Sequence, residues 1–229
     1  MASLTVGIVA PRPPFTVGDT GLDIDLMRAL AARLGEDVAF ARAGQDIDAV
    51  LDGLDGAPYD CVAGATVSEQ CEVTFLPPYV ITGQALAVHT RRLRTVGSID
   101  DLTGLTIGVQ GGGTGEALAR RLVDDGKAAA VRVHPDLDAA IADLAPGGCD
   151  GVLALAPVLT AMTRDVPDVD VVQRGLSVEE IAIAVGPANQ ALAARLQVAQ
   201  AELESDGTLQ ELRRTWLGNP YTDQSTPVL

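Results

Sequence analysis

Aromatic residues are scarce: Phe, Trp and Tyr make up 3% of the 229 residues, although 47% of the chain is hydrophobic. A core built mainly from Ala, Val and Leu follows. No apolar run reaches the ~18 residues that a membrane-spanning helix needs. Basic residues are also in deficit, 16 against 31 acidic, and the net charge is -15. A surface of that sign repels phosphate backbones, which argues against nucleic-acid binding and favours solubility. Lysine occurs once, as Lys127. The three cysteines, Cys61, Cys71 and Cys149, are too few for a disulfide scaffold and show no CxxC spacing. A single bridge remains open, with Cys61 and Cys71 the nearest pair. The two histidines, His89 and His134, stand far apart, so the spacing gives no zinc signature and no metal is expected. Met1 is followed by ASLTVGIV, without a basic n-region or a long apolar h-region. No signal peptide is visible, and a mature fragment would read the same way.

Strand and helix signals alternate from the start. Leu4–Ala10 (LTVGIVA) is a short apolar run ended by prolines and reads as a buried strand. Asp23–Leu34 carries Ile24, Leu26, Met27, Leu30 and Leu34 at helical spacing, and Gly35 closes it. Strands are expected at Val38–Ala41 and Tyr59–Gly64, with a short helix over Asp46–Leu54. The alternation then restarts: strands at Gln84–Val88, Leu105–Gln110 and Ala130–Val133, and helices at Thr114–Val123 and Leu137–Leu144. Strands at Gly151–Ala156, Val169–Gln173 and Ile181–Val185 precede two closing helices, Gln190–Glu204 and Thr208–Trp216. The tail after Asn219 is polar. Such alternation predicts a mainly parallel sheet, in two α/β units joined near residues 82–86, with the last strand and helices returning to the first unit.

Few motifs carry chemistry. The turn in GVQGGGTGE (Gly108–Glu116) lacks the GxGxxG spacing of a dinucleotide site and the lysine of a P-loop. It leaves a helix N-terminus with Thr114 as expected N-cap, which attracts an anion or a carbonyl oxygen or else is a plain tight turn. Arg12 and Phe15 follow the first strand, at the end where open α/β sheets place ligands. Arg12 there meets an anionic ligand or faces solvent, and Phe15 is a stacking platform or a core plug. No GxSxG elbow is present, no histidine lies near Cys71, and no carboxylate pair marks acid–base work.

Eight stretches, in order, carry a resemblance: LTVGIVAPRPPF, GLDIDLMRALA, YDCVAGATVS, FLPPYVITGQALAV, DLTGLTIGVQGGGTGE, CDGVLA, IAIAVGPANQAL and DGTLQELRRTWLG. Together they resemble the extracellular solute-binding proteins of family 3, the amino-acid receptors of ABC importers, over nearly the whole chain. The resemblance implies a periplasmic-binding-protein-like type II α/β fold. Lobe one is about residues 1–84 plus 183–229, lobe two about 85–182, and two strands at Thr82–Ala85 and Glu180–Ala184 form a hinge that closes the lobes around ligand. It places Phe15 and Arg12 by the ligand. Gly64, Ala65 and Thr66 would bind its amino and carboxylate groups, and Gly113 and Thr114 would donate from a helix end. It further implies a monomer outside the cytoplasm, no cofactor, a small-molecule ligand and an ABC permease as partner.

Two departures bear on the ligand. The family pattern TxTxxR ends in an arginine that grips the α-carboxylate, whereas here Thr66-Val67-Ser68-Glu69-Gln70 leads to Cys71. The ammonium-binding aspartate expected five residues after Asp150 is Leu155. Truncating one side of a desolvated charge pair costs on the order of 2–5 kcal/mol, and an ammonium facing leucine is desolvated without compensation. The implied solute is therefore atypical, or Arg12 rebuilds the clamp. A ligand-gated sensory module and a dehydratase-like enzyme on the same scaffold are the competing classes. The double variant Cys71→Arg with Leu155→Asp is expected to bind common L-amino acids more tightly than the parent. Calorimetry showing no gain in the folded variant contradicts the assignment of those two positions.

Overall fold

The computed structural model describes residues 3–8, 12–43, 47–69 and 71–218. The polar tail, and the start of the loop that follows the first strand, lie outside the described residues. The chain divides into two compact units, one ending at Ile81 and resuming at Glu179, the other Thr82–Val178.

The first unit begins with β1 (Ser3–Ile8), α1 (Leu22–Leu34), β2 (Asp37–Arg42), α2 (Ile47–Asp52) and β3 (Cys61–Thr66). Two short strands follow, β4 (Thr74–Phe75) and β5 (Val80–Thr82). Helix α1 buries Ile24, Leu26, Met27 and Leu30 of the stripe that the sequence spacing predicts, together with Leu22 and Ala31, while Leu34 at its end is only half-buried. Gly35 caps it in the left-handed region with φ 68°, its N–H returning to the last turn. The helix starts one residue earlier than expected, with Gly21 as its N-cap.

The second unit runs through β6 (Gln84–His89), β7 (Thr106–Gln110), α3 (Thr114–Asp124), β8 (Ala130–His134), α4 (Leu137–Leu144), β9 (Gly151–Leu155), α5 (Ala156–Thr163) and β10 (Val169–Gln173). Helix α5 has no counterpart in the sequence reading. It follows β9 without a loop and carries Pro157 in its first turn, where a missing N–H costs nothing. The chain then completes the first unit with β11 (Glu179–Val185), α6 (Gln190–Ser205) and α7 (Thr208–Leu217).

Both sheets mix parallel and antiparallel pairings, where the sequence alternation predicts mainly parallel ones. In the first, the order is β2-β1-β3-β11-β4, with β5 also on β11. Strand β1 is parallel to β2 and β3, but β11 is antiparallel to β3 and β4. In the second, the order is β10-β6-β9-β7-β8. There β7 is parallel to β8 and β9, while β6 is antiparallel to β9 and β10. Strand–helix alternation predicts parallel pairing only where a crossover helix joins neighbours in one sheet. Strand β11 reaches β3 from a distant part of the chain, so that rule does not govern it. The central strands β3 and β6 are buried along almost their whole length, as their continuous apolar runs require.

The second unit's core gathers Leu86, Val88, Leu102, Ile107, Val109 and Leu153. Leu86 is 0% exposed and sits in the middle of β6. Leu86→Ala is expected to cost about 2–5 kcal/mol through lost burial and a residual cavity. Val198→Ala, at a position 61% exposed, is expected to stay within about 0.5 kcal/mol of the parent. Urea unfolding of both variants checks the contrast.

Candidate functional site

The parallel pairing of β1 and β3, with Ile8 beside Ala63, brings the loop after β1 next to the end of β3. Residues 12–16 form a tight turn closed by two backbone hydrogen bonds between Arg12 and Thr16. From that turn the Arg12 guanidinium donates from Nη1 to the Gly64 carbonyl at 2.8 Å. It also lies over the Phe15 ring, 5.2 Å from the centroid, a favourable cation–π distance. Phe15 is fully buried, with the Arg12 guanidinium over one face of its ring. Of the two readings of Phe15, the geometry matches a core plug that also supports Arg12.

Beneath this corner lies a network that motif reading missed. Tyr79 donates its hydroxyl to Asp23 Oδ1 at 2.6 Å. Both residues are buried. Gly64 has φ 84°, and a Cβ there would sit 2.5 Å from Asp23 Oδ2. Only glycine therefore serves at this position, for conformation and for space. Burial pushes the Asp23 carboxyl up to about 6, and the Tyr79 hydrogen bond and the Arg12 charge oppose that rise. Burial and the neighbouring Asp23 raise the Tyr79 hydroxyl well above its ordinary value. The signal available in sequence was Asp23 itself, a carboxylate inside the apolar stripe of α1.

The remaining first-unit positions divide. Ala65 is buried and pairs with Ala182 across the sheet, so it offers backbone rather than side chain. Thr66 is half-buried at the strand end, opposite Ile181. Cys71, where the family pattern has an arginine, is half-buried and packs against the apolar cluster of Leu51, Leu54, Val62, Ala65 and Ala184. The Cys61–Cys71 bridge left open by the sequence does not form, and none of the three cysteines is in a disulfide. Cys61 is fully buried in β3, and burial pushes its thiol up to about 12.

In the second unit, the glycine-rich turn enters α3 with Gly113, not Thr114, as N-cap, and no side chain caps the helix. Thr114 is instead the first helical residue. Its hydroxyl accepts from Gln84 Nε2 at 2.9 Å, which ties the helix start to β6. Glu116 accepts from the Gly112 N–H at 2.9 Å and also pairs with Arg120. These bonds, Gly112 first, lower its carboxyl below the ordinary range. An internal carboxylate thus already meets part of the anion-attracting capacity of this turn. Leu155 ends β9 opposite Gln84 and is buried. The first unit therefore brings together Arg12, Phe15, Gly64, Ala65 and Thr66, with Cys71 on the cluster behind, and the second brings together Gly113, Thr114 and Leu155 around Gln84.

Known proteins share this architecture. Residues 4–219 match the model of bacterial extracellular solute-binding proteins, family 3. The chain is 30% identical to the L-cystine-binding protein TcyJ of Escherichia coli K12, covering 96% of this chain and 84% of that protein. An ancestral arginine-binding protein bound to arginine superposes with a TM-score of 0.83 at 31% identity, covering 95% of this chain and 99% of that one. The ancestral amino acid-binding protein AncCDT-1, a precursor of cyclohexadienyl dehydratase, superposes with a TM-score of 0.81 at 27% identity, covering 94% and 95%. The fold is the periplasmic-binding-protein-like type II fold.

The Asp23 environment predicts a pH dependence. Its carboxyl titrates near 6 in the folded protein and at an ordinary 3.8 when exposed. The folded state holds that proton more tightly, so the stability it contributes is complete below the lower value and is lost as pH rises through the higher one. Asp23→Asn removes this loss. Between pH 4 and pH 7.5 the variant is expected to gain on the parent by on the order of 2–3 kcal/mol, since a tenfold difference in proton affinity is worth about 1.4 kcal/mol. Urea unfolding at the two pH values measures it, and a difference that does not change with pH contradicts the account.

Proposed function

We propose, from the premise that the chain belongs to the bacterial extracellular solute-binding proteins of family 3, that it captures a small amino-acid-like solute and anchors the solute's acid group on Arg12. The observation that carries the reading is the Arg12–Gly64 contact at 2.8 Å. With Cys71 packed into an apolar cluster, Arg12 is the guanidinium that stands at the end of β3. A planar guanidinium grips a carboxylate through two parallel hydrogen bonds. The Gly64 backbone and the Thr66 hydroxyl complete the corner.

The relatives named above support the solute class, since one is an L-cystine-binding protein and another was solved with arginine. Leu155, buried where the family places an aspartate, directs the choice toward a solute whose amino group is masked or held elsewhere. Membership of the family supports an extracytoplasmic monomer that serves an ABC permease by binding rather than turnover. Among the described residues, no helix is long and apolar enough to cross a membrane.

A thermal-shift screen of amino acids, cystine and acidic metabolites identifies the solute, because a ligand that binds only the folded state raises the melting temperature. Calorimetry then compares the parent with Arg12→Ala. Removing the anchor is expected to weaken binding at least about 30-fold, the equivalent of 2 kcal/mol. Parental affinity in the folded variant contradicts the proposal.

A further inference from the structure

The sequence spacing carries no zinc signature, yet the second unit folds three metal-ligating side chains onto one point. His134 ends β8, Asp143 lies in α4, and Cys149 precedes β9. One ligand atom from each lies within 4.8 Å of the others. His134 Nε2 stands 3.6 Å from Asp143 Oδ2, too long for a hydrogen bond. That nitrogen is buried and has no hydrogen-bond partner. A buried polar atom left so calls for an explanation, and an ion is one. Cys149 is fully buried, and its thiol makes a long contact, 3.7 Å, to the Ala140 carbonyl.

Two glycines clear the space around these atoms. A Cβ at Gly108 would lie 2.8 Å from Cys149 Sγ and 3.5 Å from His134 Nε2. A Cβ at Gly148 would lie 1.9 Å from Asp143 Oδ1. Neither glycine has a positive φ, so backbone conformation does not require glycine at either position. What requires it is room for the three side chains.

We propose that His134, Asp143 and Cys149 form a zinc site. The set of one imidazole nitrogen, one carboxylate oxygen and one sulfur suits a borderline-soft divalent ion. From separations of up to 4.8 Å the three side chains close in to zinc–ligand distances of about 2.0–2.3 Å, and a water completes the tetrahedron. Binding deprotonates the Cys149 thiol and releases that proton to solvent while the sulfur–metal bond forms. Arg132, which donates to Asp143 Oδ2 at 3.0 Å, gives up that oxygen or shares it. The His134 carbonyl accepts from the Gly111 N–H at 3.0 Å, so the metal would also stiffen the strand end that holds the glycine-rich turn.

The test is a Co²⁺ titration of the reduced, metal-stripped, tag-free chain, followed by competition with Zn²⁺. One Co²⁺ per chain is expected, with a thiolate-to-cobalt charge-transfer band that Zn²⁺ removes. Cys149→Ser and His134→Ala are expected to lose the band, and Cys71→Ser to keep it. Asp143→Asn, a change at a partly exposed side chain, keeps the test decisive if the buried variants fail to fold, and is expected to weaken Co²⁺ binding at least tenfold. The absence of a band, a band that depends on Cys71, or unchanged affinity in Asp143→Asn overturns the proposal.

Discussion

The hydrogen bond from Tyr79 to the buried carboxylate of Asp23 is the constraint on which the corner of the first unit depends. It joins the first turn of α1 to the segment before β5, and it lies directly under Gly64. A buried carboxylate without such partners would be strongly unfavourable. Tyr79 supplies a donor and Arg12 a nearby positive charge. The left-handed glycine at position 64 lets the carboxylate approach the backbone whose carbonyl Arg12 also engages. Arg12, Gly64, Tyr79 and Asp23 therefore form one cooperative unit, in which changing any member alters the environment of the others.

On the proposed reading, this network lets a receptor corner persist without the family's usual arginine. Cys71 fills a small apolar cluster that closes the back of β3. The positive charge sits instead on the loop after β1, where Phe15 holds it flat and the Gly64 carbonyl fixes its direction. A guanidinium oriented in this way loses less freedom when an acid group arrives, which is how preorganisation raises affinity. In the second unit, by contrast, Glu116 already occupies part of the glycine-rich turn, and Leu155 contributes only apolar surface. Charge recognition is then concentrated in the first unit.

Much of the fold is legible in the sequence because it rests on periodicity. The stripe of α1, the apolar runs of β3 and β6 and the cap at Gly35 each follow from local pattern. Strand direction does not. Strands β6 and β11 read like any buried strand, and only long-range pairing sets them antiparallel. Helix α5 escapes the pattern because Leu155 and Ala156 continue an apolar run without a break, and the proline at 157 is the one signal of a helix start. Threonine favours a cap position, but the chain places Gly113 there and engages Thr114 with Gln84. In the candidate site, the order of family-like stretches points to Arg12 and Gly64–Thr66, which the fold brings to one corner. Asp23 and Tyr79 escape notice because their chemistry exists only when two distant segments meet. His134, Asp143 and Cys149 come together for the same reason, through a strand end, a helix and a loop that share no spacing rule.

The central claim is that Arg12 has taken over the anchoring of the solute's acid group. The most direct measurement is a crystal structure of the protein with the solute found by screening. The account predicts the acid group of that solute within hydrogen-bond distance of the Arg12 guanidinium, beside Gly64 and Thr66. A bound solute whose acid group lies elsewhere, with Arg12 still engaged only on the Gly64 carbonyl and the Phe15 ring, would contradict it.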